Sequence, residues 1–199
     1  MIKTIIFDIG GVITNYDFDK LYSNFAKRVG ISTEFVSNFH DKNLEKILGG
    51  EINWKDFEKQ TIKAGADPKL DLKNIWIEEG LKSVKVNNEL LQIIKKLSNK
   101  YSVGILSNVS EGRAFIDREL KLYDNFNYKV LSYEELLQKP NPTFYKKALS
   151  LAGVKPSEAV FIDDMEELII AGRNVGINGI VYLNNKNLID NLKKLGVEI

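Results

Sequence analysis

The chain has no cysteine among its 199 residues. Disulfides, thiolate metal sites and cysteine nucleophiles are therefore excluded. Its single histidine, His40, rules out any mechanism or metal centre that needs two. A dominant charge is also lacking: 28 Lys and Arg against 27 Asp and Glu leave a net charge of +1. That balance gives no electrostatic case for nucleic acid or an anionic membrane surface as a partner. No apolar run is long enough to span a bilayer, and the N-terminus enters Ile5-Ile6-Phe7-Asp8 without the apolar region of a signal peptide. A cytoplasmic location is the expectation. The composition, 44% hydrophobic and 28% charged, is that of a globular protein. The length suits one domain, or a core domain with an insert.

The chain is organised around Lys3–Thr14, KTIIFDIGGVIT. Thr4 to Phe7 is a short apolar run without polar alternation, as in a strand buried on both faces of a parallel sheet. It ends in Asp8, at the carboxyl end of the strand, where open α/β sheets bind ligands. Gly10-Gly11 then lets the backbone turn tightly and come close to a bound group.

Four helices are expected next. Asp17 to Val29 carries Leu21, Phe25 and Val29 at helical spacing, and Gly30 stops it. Thr33 caps a second helix that Gly49-Gly50 ends, Asn53 begins a third, and Leu72 to Leu81 forms a fourth. No strand-like run lies between Tyr16 and Val84. Beyond it, apolar runs at Tyr101–Leu106, Tyr128–Ser132, Ala159–Ile162 and Gly179–Leu183 alternate with helical stretches. Asn141 as N-cap and Pro142 at the first helical position mark one helix start clearly. The alternation predicts a doubly wound parallel α/β sheet of five or six strands. Roughly ninety residues separate Asp8 from the second strand, far more than one crossover helix needs. Residues 16–84 are therefore expected to form an inserted all-helical cap, with 1–15 and 85–199 forming the core.

Three of the strands end in polar groups: Asp8, Ser107-Asn108 and Asp163-Asp164. Lys139 precedes the helix capped by Asn141. Carboxylates gathered at one end of a sheet repel each other unless a cation holds them. Hard oxygen donors without histidine or thiolate favour Mg²⁺, which combines one or two carboxylates with a phosphate oxygen. Mg²⁺ and Lys139 together offset much of the charge of three aspartates and a phosphate. The Ser107 hydroxyl, the N–H groups around Gly10–Val12 and helix N-termini offset part of the rest. Asp8, on the tip of the first strand, is placed to attack phosphorus and form an aspartyl phosphate.

These residues resemble the four motifs of the haloacid dehalogenase superfamily, whose phosphohydrolases act on phosphate monoesters. Asp8 in FDIGGVI is similar to the first motif, which holds the nucleophile. Ser107 in ILSN is similar to the second, a hydroxyl that binds the transferring phosphoryl. Lys139 in QKPNPTFY is similar to the third, and Asp163-Asp164 in VFIDDMEE to the fourth, the Mg²⁺ acids. The resemblance covers the whole chain, because the helical insert lies where this family carries a small cap. It implies catalytic roles for Asp8, Ser107 and Lys139. It implies phosphate binding by Ser107, Asn108, Lys139 and Gly11, and metal binding by Asp8, the Gly10 carbonyl, Asp163 and Asp164.

Two departures stand out. Family phosphatases commonly carry an aspartate two residues after the nucleophile, which protonates the leaving oxygen; here that position is Gly10. Leu168 also stands where a polar residue often follows the acid pair. The FDxGGVI pattern resembles bacterial phosphatases of sugar 1-phosphates, whose acidic anomeric leaving group needs a general acid less. The expected function is thus Mg²⁺-dependent hydrolysis of a small phosphorylated metabolite, with a sugar 1-phosphate as the candidate this resemblance implies. The alternatives are a 2-haloacid dehalogenase, which needs no metal, and a non-catalytic phosphate-binding regulator. Asp17 and Asp19 read as acids at a helix start, and Trp54 and Trp76 as cap core. His40 reads as a solvated surface residue, and Lys95-Lys96 and Lys193-Lys194 as solvated helix faces.

Overall fold

A computed structural model describes residues 1–199. The chain runs through β1 (Thr4–Phe7), β2 (Thr14–Tyr16), α1 (Phe18–Val29), α2 (Thr33–Leu48), α3 (Trp54–Lys63), α4 (Leu72–Leu81) and β3 (Val84–Val86). It continues through α5 (Asn88–Leu97), β4 (Ser102–Ser107), α6 (Glu111–Glu119), β5 (Tyr128–Leu131), a one-turn α7 (Ser132–Glu135) and α8 (Pro142–Ala152). The last elements are β6 (Ala159–Asp163), α9 (Glu166–Asn174), β7 (Asn178–Val181) and α10 (Asn185–Lys194).

Five of these strands form one parallel sheet in the order β5-β4-β1-β6-β7. The order reverses about β1, which has β4 on one side and β6 on the other. Phe7 is in register with Ile105 and Ile162. Asp8, which follows Phe7, therefore lies at the same end of the sheet as Ser107-Asn108 and Asp163-Asp164.

Alternate residues of the strands feed two cores, as a sheet buried on both faces requires. Ile5, Phe7, Val103, Ile105, Val160 and Ile162 pack with Leu90, Ile94 and Leu97 of α5 and Leu188 and Leu192 of α10. Ile6, Leu106 and Phe161 pack on the other face with Phe144, Tyr145 and Ala148 of α8 and Ile169 of α9. Each buried side chain of this size contributes about 1.5–3 kcal/mol by leaving water. The sheet is thus held rigidly enough to fix the positions of the groups at its end.

A third core joins α1 to α4, with Phe25, Phe57, Trp54 and Trp76 at its centre. Ile116 of α6 belongs to it, so the helical block and the sheet layer share apolar contacts. Trp76 Nε1 also donates to the Gly112 carbonyl at 3.1 Å, and the Trp54 N–H donates to Glu111 at 2.8 Å.

The two passages between the sheet and the helical block are an antiparallel ribbon that the periodicity missed. Thr14 pairs with Val86 and Tyr16 with Val84. Three residues per strand are too few to show a period. The second helix is capped by Ser32, whose hydroxyl accepts the Phe35 N–H at 3.1 Å, and Thr33 is already helical. Asp17 caps α1 by accepting the Lys20 N–H at 3.0 Å.

Candidate active site

β1 and β6 deliver Asp8, Asp163 and Asp164 to one place: an oxygen from each lies within 4.8 Å of the others. Lys139 reaches in from the loop before α8. Its Nζ donates to Asp8 Oδ1 at 2.9 Å and to Asp163 Oδ2 at 2.5 Å, and its side chain is 1% exposed. Asn108 holds that loop from both sides. The Lys139 N–H donates to Asn108 Oδ1 at 2.8 Å, and Asn108 Nδ2 donates back to the Lys139 carbonyl at 2.9 Å. Asn108, expected at the phosphate, thus has its amide engaged in positioning the lysine.

The electrostatics follow from this packing. Burial alone would neutralise the Lys139 ammonium, but Asp8 and Asp163 outweigh it and hold the pKa above its ordinary value. Burial raises Asp163, and although Lys139 pulls it back, the charge of Asp8 adds to the rise. Burial and Asp8 raise Asp164 in the same way. One ammonium does not neutralise three carboxylates. The donor set is all hard oxygen, with no nitrogen or sulfur ligand, so the residues present fit a small dication such as Mg²⁺.

The turn after Asp8 is equally constrained. Gly11 has φ +73°, and a Cβ there would stand 2.0 Å from Asp164 Oδ2. Only glycine lets the acid pair sit against this backbone. The Gly11 N–H, expected to face phosphate, instead donates to the Thr14 carbonyl at 2.9 Å and closes the turn. The N–H groups of Gly10 and Val12 donate to no backbone carbonyl. Ser107 is fully buried, and its hydroxyl has no hydrogen-bond partner in the protein. Leu168 packs its side chain into the sheet core, while its carbonyl accepts the Tyr145 hydroxyl at 2.8 Å.

Above the carboxylates lies a cavity of about 480 Å³ lined by Asp8, Lys139, Asp163 and Asp164 from the sheet and by Phe18, Leu44 and Leu48 from the helical block. A second cavity of about 380 Å³ lies between α1, α2 and α6, with Tyr22, His40 and Trp76 in its wall. Asn108, Arg113, Phe18, Leu44 and Leu48 border both.

His40 is not a solvated surface residue. Its ring stacks on Tyr22 with centroids 4.8 Å apart and on Trp76 at 5.4 Å, and it meets Phe57 at 5.1 Å. Its Nε2 is enclosed without a partner, and burial pushes its pKa down to about 4. The charged neighbours in sequence misled the reading, because α2 turns this one face toward the aromatic core. Lys95, Lys96, Lys193 and Lys194 are exposed, as expected.

Residues 2–176 match the protein family described as haloacid dehalogenase-like hydrolase. The chain belongs to this family. Among curated relatives of this haloacid dehalogenase-like hydrolase is a D-ribitol-5-phosphate phosphatase of Bacteroides thetaiotaomicron. It is 29% identical in an alignment of 195 positions that covers 88% of this chain and 89% of the relative. A HAD family enzyme of the same organism, solved in complex with magnesium and inorganic phosphate, superposes with TM-score 0.76 at 25% identity, covering 93% of this chain and 96% of that one. A 2-haloacid dehalogenase from Pseudomonas syringae pv. Tomato shares the fold, with TM-score 0.68 at 19% identity, covering 92% and 86%.

One group at this hydrolase's site went unnoticed in the sequence. Arg113, from the first turn of α6, reaches the space above Gly10: a Cβ on Gly10 would lie 2.9 Å from its Nη1. Its Nε stands 3.5 Å from Asp117 Oδ2, an i,i+4 pair on α6. Asp117 is fully buried and accepts the Tyr16 hydroxyl at 2.7 Å and the Tyr123 hydroxyl at 3.3 Å. In sequence, Arg113 and Asp117 look like one more exposed helix pair. Only their helical phase, shared with the buried Ala114 and Ile116, hinted otherwise.

Proposed function

We propose that this hydrolase is a Mg²⁺-dependent phosphatase acting on a small sugar or polyol phosphate through Asp8. The observation that carries the reading is the carboxylate triad with Lys139 bridging Asp8 and Asp163. Asp163, Asp164, Asp8 and the Gly10 carbonyl would hold the Mg²⁺. When bound, the ion supplies positive charge beside the transferring phosphoryl. Lys139 orients Asp8 through its 2.9 Å hydrogen bond and balances charge on the phosphoryl oxygens. Ser107 has a free, buried hydroxyl to donate to one of those oxygens. The Asp8 carboxylate attacks phosphorus, the ester oxygen leaves, and water hydrolyses the resulting aspartyl phosphate.

Residues 16–84 serve as the cap. They bring Phe18, Leu44 and Leu48 over the carboxylates and so exclude water while shaping the leaving-group space. The ribitol-phosphate phosphatase and the magnesium- and phosphate-bound HAD enzyme support a sugar or polyol ester and the metal. A screen of sugar and polyol phosphates, with Mg²⁺ and with chelator, tests the reading. Phosphate release that needs Mg²⁺ is the expected result. Metal-independent turnover of a 2-haloacid, or phosphate binding without turnover across the panel, would overturn it.

A further inference from the structure

We propose that Arg113 is a catalytic residue of this phosphatase, whose guanidinium fills the space left by Gly10 and stabilises negative charge on the leaving oxygen. The inference rests on the phosphatase reading and asks how the leaving group departs without a carboxylic acid two residues after Asp8.

Position 10 is where a side chain would point from the turn after the nucleophile. The atom found there is Arg113 Nη1, 2.9 Å from the position of a Cβ. A cation therefore occupies the ground that an acid would have held. The residue is well anchored: its side chain is 12% exposed, Asp117 stands behind Nε at 3.5 Å, and the guanidinium lies 5.3 Å from the centre of the Tyr16 ring. Tyr16 in turn donates to Asp117 at 2.7 Å. Asp117 is held on the far side and cannot itself reach the reacting atoms without releasing these partners.

The same guanidinium is underused within the protein. Nε faces Asp117 in an ion pair at 3.5 Å, Nη2 is enclosed with no hydrogen-bond acceptor, and Nη1 is the nitrogen nearest Gly10. Buried, charged donors without acceptors are costly unless a ligand completes them. Arg113 also borders both cavities, the one holding Asp8 and the one walled by Tyr22, His40 and Trp76. It thus stands at the junction between the attacked phosphorus and the space for the departing alcohol.

An arginine remains protonated at working pH, so its contribution is charge rather than a proton. Asp8 forms a bond to phosphorus, the phosphorus–oxygen ester bond breaks, and its electron pair leaves on the alkoxide beside Arg113. The alkoxide takes a proton from water. The hydroxide so formed then attacks the aspartyl phosphate at phosphorus, breaking its bond to the Asp8 oxygen, returning Asp8 to a carboxylate and releasing hydrogen phosphate. Gly10 therefore does not restrict the protein to acidic leaving groups such as anomeric hydroxyls.

The test compares Arg113→Met and Arg113→Lys with wild type on 4-nitrophenyl phosphate, a sugar 1-phosphate and alkyl phosphates such as glycerol phosphate. Circular dichroism and thermal melts confirm the fold. The account predicts that Arg113→Met loses about 10²–10³-fold in kcat on alkyl phosphates, the scale of removing one preorganised donor. The loss on 4-nitrophenyl phosphate is below about tenfold, so the dependence of rate on leaving-group pKa steepens. Arg113→Lys, which keeps the charge, recovers at least about tenfold on alkyl phosphates relative to Arg113→Met. If Arg113→Met does not fold, Arg113→Lys carries the test through the same steepening at smaller amplitude. An equal loss across all leaving groups, or no loss, would overturn the assignment while leaving the phosphatase reading intact. Full activity of Asp8→Asn would instead bring down that reading, and this inference with it.

Discussion

The floor of the site and its roof are built in different ways. The floor is a set of charges at strand ends, with Lys139 1% exposed between Asp8 and Asp163. Its geometry comes from sheet topology: β1 lies between β4 and β6, so residues far apart in sequence emerge side by side. The roof is apolar and aromatic, built from side chains on α1, α2 and α4, with a single enclosed histidine. One region concentrates charge and needs a cation. The other is apolar and, in the function proposed above, excludes water and shapes the space for the leaving alcohol. Chemistry and selectivity are therefore separable by mutation, and Arg113, which borders both cavities, is where they meet.

The sharpest separation comes from Asp8→Asn. An amide is a far weaker nucleophile, so turnover should fall at least about 10³-fold, with melting temperature nearly unchanged. Steady-state phosphate release on the purified variant checks this, and residual turnover above a few thousandths would break it. The metal comes next. Asp163→Asn or Asp164→Asn should weaken Mg²⁺ binding by about 10-fold or more in titration calorimetry, while the apo fold survives because Lys139 keeps its 2.9 Å bond to Asp8.

The roof answers to pH instead. Folded His40 stays neutral, with its pKa pushed down to about 4 by burial, whereas unfolded it takes a proton near pH 6.5. Its contribution to stability is thus present above about pH 6.5, decreases as pH falls, and is lost near pH 4. The difference is about 3 kcal/mol. In denaturant melts between pH 7 and 4, wild type should lose more stability than His40→Phe by about this amount, the substituted protein being less sensitive to acid. Equal losses would place His40 in solvent. The smallest effect expected is that of Gly11→Ala, about 1–3 kcal/mol from φ +73°, with Asp164 displaced and Mg²⁺ affinity lowered.

The floor was legible in sequence for a physical reason. A buried parallel strand is a continuous apolar run, so its end is marked by the first polar residue, and that end is where the site lies. Asp8, Ser107 and Asp163 were found in this way, as were the five sheet strands to within a residue or two. The β2–β3 ribbon carried no period to read. That the Asn108 amide bonds the Lys139 backbone and the Gly11 N–H bonds the Thr14 carbonyl could not be read from sequence, because residue type does not reveal whether an amide or an N–H is already engaged. His40 was read as solvated, and Arg113 was missed, because their surroundings are assembled from several helices. Gly10 marked an absence in the sequence, but what occupies the space is visible only when α6 is set against the turn.

The most direct test is to trap the covalent intermediate. The protein is mixed with Mg²⁺ and 4-nitrophenyl phosphate, quenched in acid within a turnover, and its peptides mapped for phosphate by mass spectrometry. The account predicts a phosphoryl group on Asp8, absent with chelator and absent in Asp8→Asn. Phosphoryl on another residue, or label that persists undiminished in Asp8→Asn, would contradict it.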